Sequence, residues 1–157
     1  MLLYNDLVAV IRYDDKTGVF TWIAGKNTGE IAGCLRADGY RMIRLGGILY
    51  YAHRLAWFFH NKEMPRQFID HVNGDKSDNR IDNLRAVSVR VNTENQRGAR
   101  VDNKSSGLLG VQRNHSGWQA CITAYGKRRC LGTFKTPEEA HAVYLSAKRK
   151  IHEGCTI

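Results

Sequence analysis

Apolar positions along the chain fall into short groups with two spacings. Leu3, Leu7 and Val8/Ile11 recur at helical intervals and predict a short helix over residues 3–12. Asp14-Asp15-Lys16-Thr17-Gly18 is a turn, and residues 19–23 follow as a strand. A looser, glycine-containing stretch reaches Gly33. Beyond Ala37-Asp38-Gly39, residues 40–45 and 48–52 predict two strands joined at Gly46-Gly47. Residues 53–60 predict a helix with Leu55, Phe58 and Phe59 available for a core. Glu63-Met64-Pro65 ends it, because proline disfavours helical backbone in the residue before it.

The next groups are shorter. Residues 68–71 and 84–87 predict two strands separated by a loop of Asn, Asp, Gly and Lys. Ser88 can cap a helix carrying Asn92 and Asn95. Residues 96–107 carry glycines, serines and positive charges with almost no apolar content, the composition of a linker. From Leu108, the runs 108–114, 117–125 and 128–134 predict an antiparallel three-stranded sheet, with turns at His115-Ser116-Gly117 and around Tyr125-Gly126-Lys127. Thr136-Pro137-Glu138-Glu139 is a capping box with proline at the first helical position. Ala140, Val143, Tyr144, Ala147 and Ile151 form the apolar stripe of that helix. Lys148, Arg149 and Lys150 suit its C-terminal dipole, and Gly154 can close it.

One helix covers one face of a three-stranded sheet and leaves the other open. Strand alternation turns Trp118, Ala120 and Ile122 toward the helix. Gln119, Cys121 and Thr123 then point outward, with Gln112, Asn114, Arg128 and Cys130 on the same exposed side. The expected architecture is α+β in two modules: 1–97 with a β-rich N-terminal lead-in, a basic linker at 98–107, and 108–157.

Charge narrows the choice of partner. Lys and Arg number 24 against 15 Asp and Glu, a formal net charge of +9 over 157 residues. Such a surplus is the footprint of a polyanion. Membrane is disfavoured as that partner: no apolar run is long enough to span, and neither terminus reads as a basic amphipathic helix. The N-terminus lacks the basic start and small-residue cleavage site of a signal peptide. Cys34, Cys121, Cys130 and Cys155 show no C-x-x-C spacing, so no zinc is expected, and four reduced thiols in the cytoplasm are.

The chemistry-bearing residues cluster between 70 and 92. Asp70 can ligate a hard cation such as Mg²⁺, and a carboxamide oxygen from Asn92 can supply a second protein ligand. His71 can take the proton of an attacking water at neutral pH. Asn83 can accept a hydrogen bond from the second ring nitrogen and fix the tautomer. Asn73, Asp75 and Asn79 read as turn formers.

The order Asp-His, then Asn in Asn-Leu twelve residues after the histidine, then Asn opening a helix resembles the HNH nuclease motif. More narrowly, it is similar to the H-N-N variant of phage and intron-encoded homing endonucleases. That resemblance implies a ββα-metal unit with His71 as general base, Asn83 as its orienting residue, and Asp70 and Asn92 as ligands of one divalent ion. Mg²⁺ is expected and Mn²⁺ is the alternative. The pattern GV-x-R…GWQA-x-I…LGTF-x-T-x-EEA, from 108 to about 152, closely resembles the APETALA2-type DNA-binding domain. In that family the open sheet face lies in the major groove, where base pairs are distinguishable. The resemblance implies DNA contacts by Gln112, Asn114, Gln119, Thr123 and Arg128. Arg113 and Arg129 are expected phosphate contacts, and Arg97, Arg100 and Lys104 suit a strap along the backbone.

Together these features predict a free-standing, metal-dependent DNA endonuclease of the homing type. It would leave 5′-phosphate and 3′-hydroxyl ends and nick one strand per binding event. The alternative is a DNA-binding regulator with a relic nuclease unit. A single-strand or RNA binder ranks last, since it wants exposed aromatics and those here fall on predicted core positions. Double-stranded DNA is the expected partner, with no membrane and no obligate protein partner. The chain is expected to be a monomer or weak homodimer in the cytoplasm, that of the host cell if phage-encoded.

Overall fold

The computed structural model describes residues 2–99, 103 and 105–157. The chain divides into two compact units, Met1–Val89 and Arg90–Ile157.

The first unit opens with α1 (Tyr4–Val8) and passes into β1 (Ile11–Asp14). The predicted 3–12 helix is therefore helical only in its first half. Ile11 and Tyr13 alternate inward with Phe20 and Trp22 of β2 (Val19–Trp22), and the two strands pair antiparallel with Ile11 opposite Trp22. Strand pairing thus outweighs the helical spacing there. A second sheet is ordered β3 (Cys34–Leu35), β4 (Arg41–Leu45), β5 (Ile48–Tyr51). Gly46 and Gly47 turn between the last two with φ of 54° and 81°, the left-handed pair that a tight hairpin needs.

Helix α2 (Ala52–Asn61) follows β5 directly. It stops where Lys62 turns left-handed, before the proline is reached. Leu7, Ile11, Phe20, Ile43, Leu55 and Phe58 form the core. Ile69 and Leu84 join it from β6 (Phe68–His71) and β7 (Leu84–Val87), which pair antiparallel.

The lead-in braces the loop between β6 and β7. Tyr13 donates its hydroxyl to the Asn79 carbonyl at 2.7 Å, and the Ile81 amide donates to the Asp15 carbonyl at 3.3 Å. Gly18 sits in the turn between β1 and β2 at φ 72°. A Cβ there would lie 2.5 Å from the Arg80 nitrogen, so the close approach requires glycine.

The second unit takes nearly all of α3 (Val89–Glu94), then β8 (Val111–Asn114), β9 (Gly117–Ala124), β10 (Lys127–Phe134) and α4 (Pro137–Ile151). Its sheet order is β10-β9-β8, antiparallel throughout. The Thr136–Glu139 capping box forms as predicted, with proline inside it. Val111, Ala120, Ile122, Ala140 and Tyr144 make the core, with Trp118 packed against it.

The dividing line falls inside α3, not in the 98–107 stretch, and the second unit's contacts explain where α3 goes. Arg90 pairs with Glu94 at 2.9 Å and with Glu153 at 2.7 Å. Lys148, only 1% exposed, donates its ammonium to the Gln96 carbonyl just beyond the end of α3. A cation on the last carbonyls of a helix is favourable there. Gly154 does not close α4, whose cap is His152. It lies where a Cβ would be 2.2 Å from the Val91 carbonyl oxygen, and its amide donates to Glu94 at 3.2 Å.

Candidate functional site

In the β6–β7 ladder, Asp70 stands opposite Arg85 and His71 opposite Leu84. Alternation sends Ile69 and His71 to one side and Asp70 to the other. The register brings the Arg85 guanidinium onto Asp70 Oδ2, with Nε at 3.1 Å and Nη2 at 2.9 Å. Arg85 was not expected at the site. Pairing 68–71 against 84–87 in antiparallel register would have found it, because the partner of Asp70 follows from the ladder alone.

His71 is buried, and its ring has histidine and tyrosine neighbours. His53, in the first turn of α2, meets it edge to face at 5.1 Å between centroids, and Tyr40 lies at 6.0 Å. His71 Nε2 is 3.5 Å from Asn79 Oδ1. Burial pushes its pKa below the usual imidazole value. Asn79 and the carboxylates of Asp70, Asp75 and Asp78 pull the other way without overcoming burial. At neutral pH the ring is therefore uncharged, the form a proton acceptor needs.

Asn83 does not hold His71. Its Oδ1 accepts from the Asn73 amide at 2.9 Å and its Nδ2 donates to the Asp78 carbonyl at 2.8 Å. The carboxamide ties the two ends of the Asn-rich loop together, and both of its polar atoms are used in doing so. This corrects the expected Asn83–His71 hydrogen bond. The carboxamide near the imidazole is that of Asn79, only 2% exposed, which had been expected to form a turn. Asn73 and Asp75 are turn formers: Asn73 Oδ1 accepts from the Asp75 amide at 2.8 Å, and Asp75 from the Ser77 amide at 2.9 Å. Arg54 donates to the Pro65 and Gln67 carbonyls at 2.6 and 3.2 Å, fastening the segment that leads into β6. Asn92, half-buried, lies on α3 with the second unit.

His53 carries a pH prediction. Burial first, then His71 and Arg54, push its pKa down to about 3. Tyr40 and Tyr51 complete its ring contacts, each at 5.4 Å. The unfolded chain protonates this side chain below about pH 6.5, whereas the folded chain does not. Its contribution to stability is thus intact above about pH 6.5 and declines as pH falls toward 3. Urea unfolding of the full chain should show that decline, and His53→Phe should reduce its slope. An unchanged slope in the variant would assign the acid sensitivity elsewhere.

On the sheet of the second unit, the outward row is linked by hydrogen bonds. Arg128 Nη2 donates to Gln112 Oε1 at 2.6 Å, and Gln112 Nε2 donates to Gln119 Oε1 at 2.7 Å. Asn114 Nδ2 donates to Thr133 Oγ1 at 3.2 Å. Thr123 and Arg128 are exposed at the β9–β10 end. Arg113 lies on the other side, its guanidinium 4.9 Å over the Trp118 ring, and Arg129 is exposed. Arg97 donates to Thr156 Oγ1 at 2.6 Å, so its head group is engaged by the C-terminal segment. Arg100 and Lys104 lie outside the described residues.

The HNH endonuclease family model matches residues 50–94. No curated protein and no solved structure matches the chain. The match supports an HNH-type nuclease domain in the chain, and such a domain implies a nucleic-acid substrate. HNH nucleases generally use a divalent metal. Among the described residues, no group of three or more His, Cys, Asp or Glu side chains is placed to hold a metal ion. No helix of the described residues is long and apolar enough to cross a membrane.

Proposed function

We propose that the protein is a metal-dependent DNA endonuclease of the homing type, hydrolysing a phosphodiester to 5′-phosphate and 3′-hydroxyl ends. The observation that carries this is a buried His71 following Asp70 on the β6–β7 ladder, inside the stretch that matches the HNH model, where burial lowers the pKa of its imidazole. His71 accepts the proton of the attacking water. Asn83 closes the loop, and Asn79, His53 and Tyr40 hold the imidazole plane. Arg85 fixes the Asp70 carboxylate. Asp70 and Asn92 are oxygen donors and would hold Mg²⁺, or Mn²⁺, in keeping with the ligands that such hard cations take. When bound, the ion would supply charge stabilisation at the leaving 3′ oxygen.

Residues 108–157 serve as the DNA reader of the APETALA2 type, placing Gln112, Asn114, Gln119, Thr123 and Arg128 in the major groove. Arg128→Ala should relax base preference at one position at a cost of about 1–3 kcal/mol, the scale of a bidentate contact to a base. Binding to a panel of duplexes checks this: a uniform loss across sequences would make Arg128 a phosphate contact instead.

One centre per chain cuts one strand per binding event. Supercoiled plasmid incubated with Mg²⁺ should become open circle first, with linear product late, and chelator should stop it. Linear DNA at the earliest times would show concerted cutting by two copies. Intact plasmid with either Mg²⁺ or Mn²⁺ would leave the chain a DNA-binding protein without the activity.

A further inference from the structure

Cys121 and Cys130 face each other across the β9–β10 hairpin. The hairpin turns at Tyr125 and Gly126, whose φ of 51° and 72° define a two-residue left-handed turn. In such a hairpin the flanking pair, Ala124 and Lys127, exchanges ladder hydrogen bonds, and bonded and non-bonded pairs alternate from there. Thr123–Arg128 is non-bonded, Ile122–Arg129 bonded, and Cys121–Cys130 non-bonded. Non-bonded pairs bring their Cα atoms to about 4.5 Å, within the span of roughly 4.4–6.8 Å that a disulfide bridges.

Both side chains leave the sheet on the outward face. Cys121 Sγ lies 3.5 Å from Gln119 Oε1 and 3.9 Å from Gln112 Nε2, so it sits inside the polar row that Arg128 joins. Cys130 is exposed, and both residues are thiols in the structure. A β-bulge follows Cys130 at once, giving its strand room to adjust.

We propose that Cys121 and Cys130 form a reversible oxidation site, closed by a hydroperoxide into a cross-strand disulfide. The exposed Cys130 thiolate attacks the peroxide oxygen, becoming a sulfenic acid and releasing an alcohol, or water from hydrogen peroxide. Cys121 sulfur then attacks the sulfenic sulfur, the S–S bond forms, and water leaves with the proton of the second thiol. Two thiols are oxidised by two electrons and one O–O bond is reduced. A dithiol reverses the step by exchange. The bond draws Cys121 away from Gln112 and Gln119, removing its contacts with the two glutamines that carry Arg128, and so disturbs the row that presents it. Its effect on DNA rests on the proposed role of this sheet as the reader.

The test uses the full chain with hydrogen peroxide, and trypsin separates the two cysteines by cutting after Lys127, Arg128 or Arg129. The expected product has lost two hydrogens in mass and holds its Cys121 and Cys130 peptides together until dithiothreitol is added. Cys130→Ser should not form it. Linkage of either residue to Cys34, Cys155 or a second chain, or over-oxidation of Cys130 with no link, would overturn the site. Duplex binding is then measured on reduced and oxidised protein. A loss of about tenfold or more on oxidation, restored by dithiothreitol and absent in Cys130→Ser, supports control of the reader. A link that forms with binding unchanged overturns that control. A reduced chain that binds no duplex fails the reader assignment instead, and the peptide linkage still decides the oxidation site.

Discussion

Replacing His71 by alanine should slow plasmid cleavage by about 10²-fold or more, the usual contribution of a positioned general base, and leave DNA affinity nearly unchanged. The magnitude follows from the surroundings of the ring. His71 is buried against His53 and Tyr40, its pKa is lowered by that burial, and it is therefore ready to accept a proton at neutral pH without first losing one. Removing it deletes the acceptor but not a surface charge, so the electrostatic attraction for the duplex persists. Initial rates of supercoiled plasmid loss, together with a binding isotherm in chelator, separate the two effects. A variant that cuts at the wild-type rate would remove His71 from the mechanism.

Asn83→Ala should destabilise the protein by about 2 kcal/mol, because it strands two partly buried backbone groups, the Asn73 amide and the Asp78 carbonyl. Cleavage should fall with it, since the loop also carries Asn79 to His71. Asn83→Asp offers a graded comparison. It retains an acceptor for Asn73 and loses the donor to Asp78, so it should fall between wild type and alanine. Urea midpoints for the three proteins check the order. Undiminished stability with lost cleavage would favour the role first expected from the motif, a direct hold on the imidazole.

The difference between those two roles shows what the sequence makes legible. The strands at 68–71 and 84–87 follow from short apolar runs bounded by turn residues, and the outward row of β9 from simple alternation; both appear in the structure. Asn83 could be placed in the chain but its partners could not. A carboxamide bonds equally well to an imidazole, an amide or a carbonyl, and the closure of a loop decides among them. Asn79 was passed over for the same reason: residue type predicts a turn, whereas its burial depends on Tyr13 and the hairpin packed against it. His53 and Tyr40 reach the imidazole from separate elements, with no spacing relative to His71 to reveal them. In β1, helical spacing and strand alternation overlapped across a few residues, and the nearby partner β2 decided the outcome.

Lys148 has a consequence for anyone who recombines this chain. Its buried ammonium, with Glu153, Gly154 and Thr156, fastens the segment from Arg90 to Arg97 to the second unit. A fragment ending at Arg97 would keep Asn92 yet strip α3 of those partners. A chimera joined in the polar stretch at 98–107 would set a foreign C-terminal domain beneath a helix with no matching lysine or tail. The seam at which modules can be exchanged therefore lies ahead of α3, near Ser88, and a donor domain joined there must bring its own helix with an oxygen ligand in the place of Asn92.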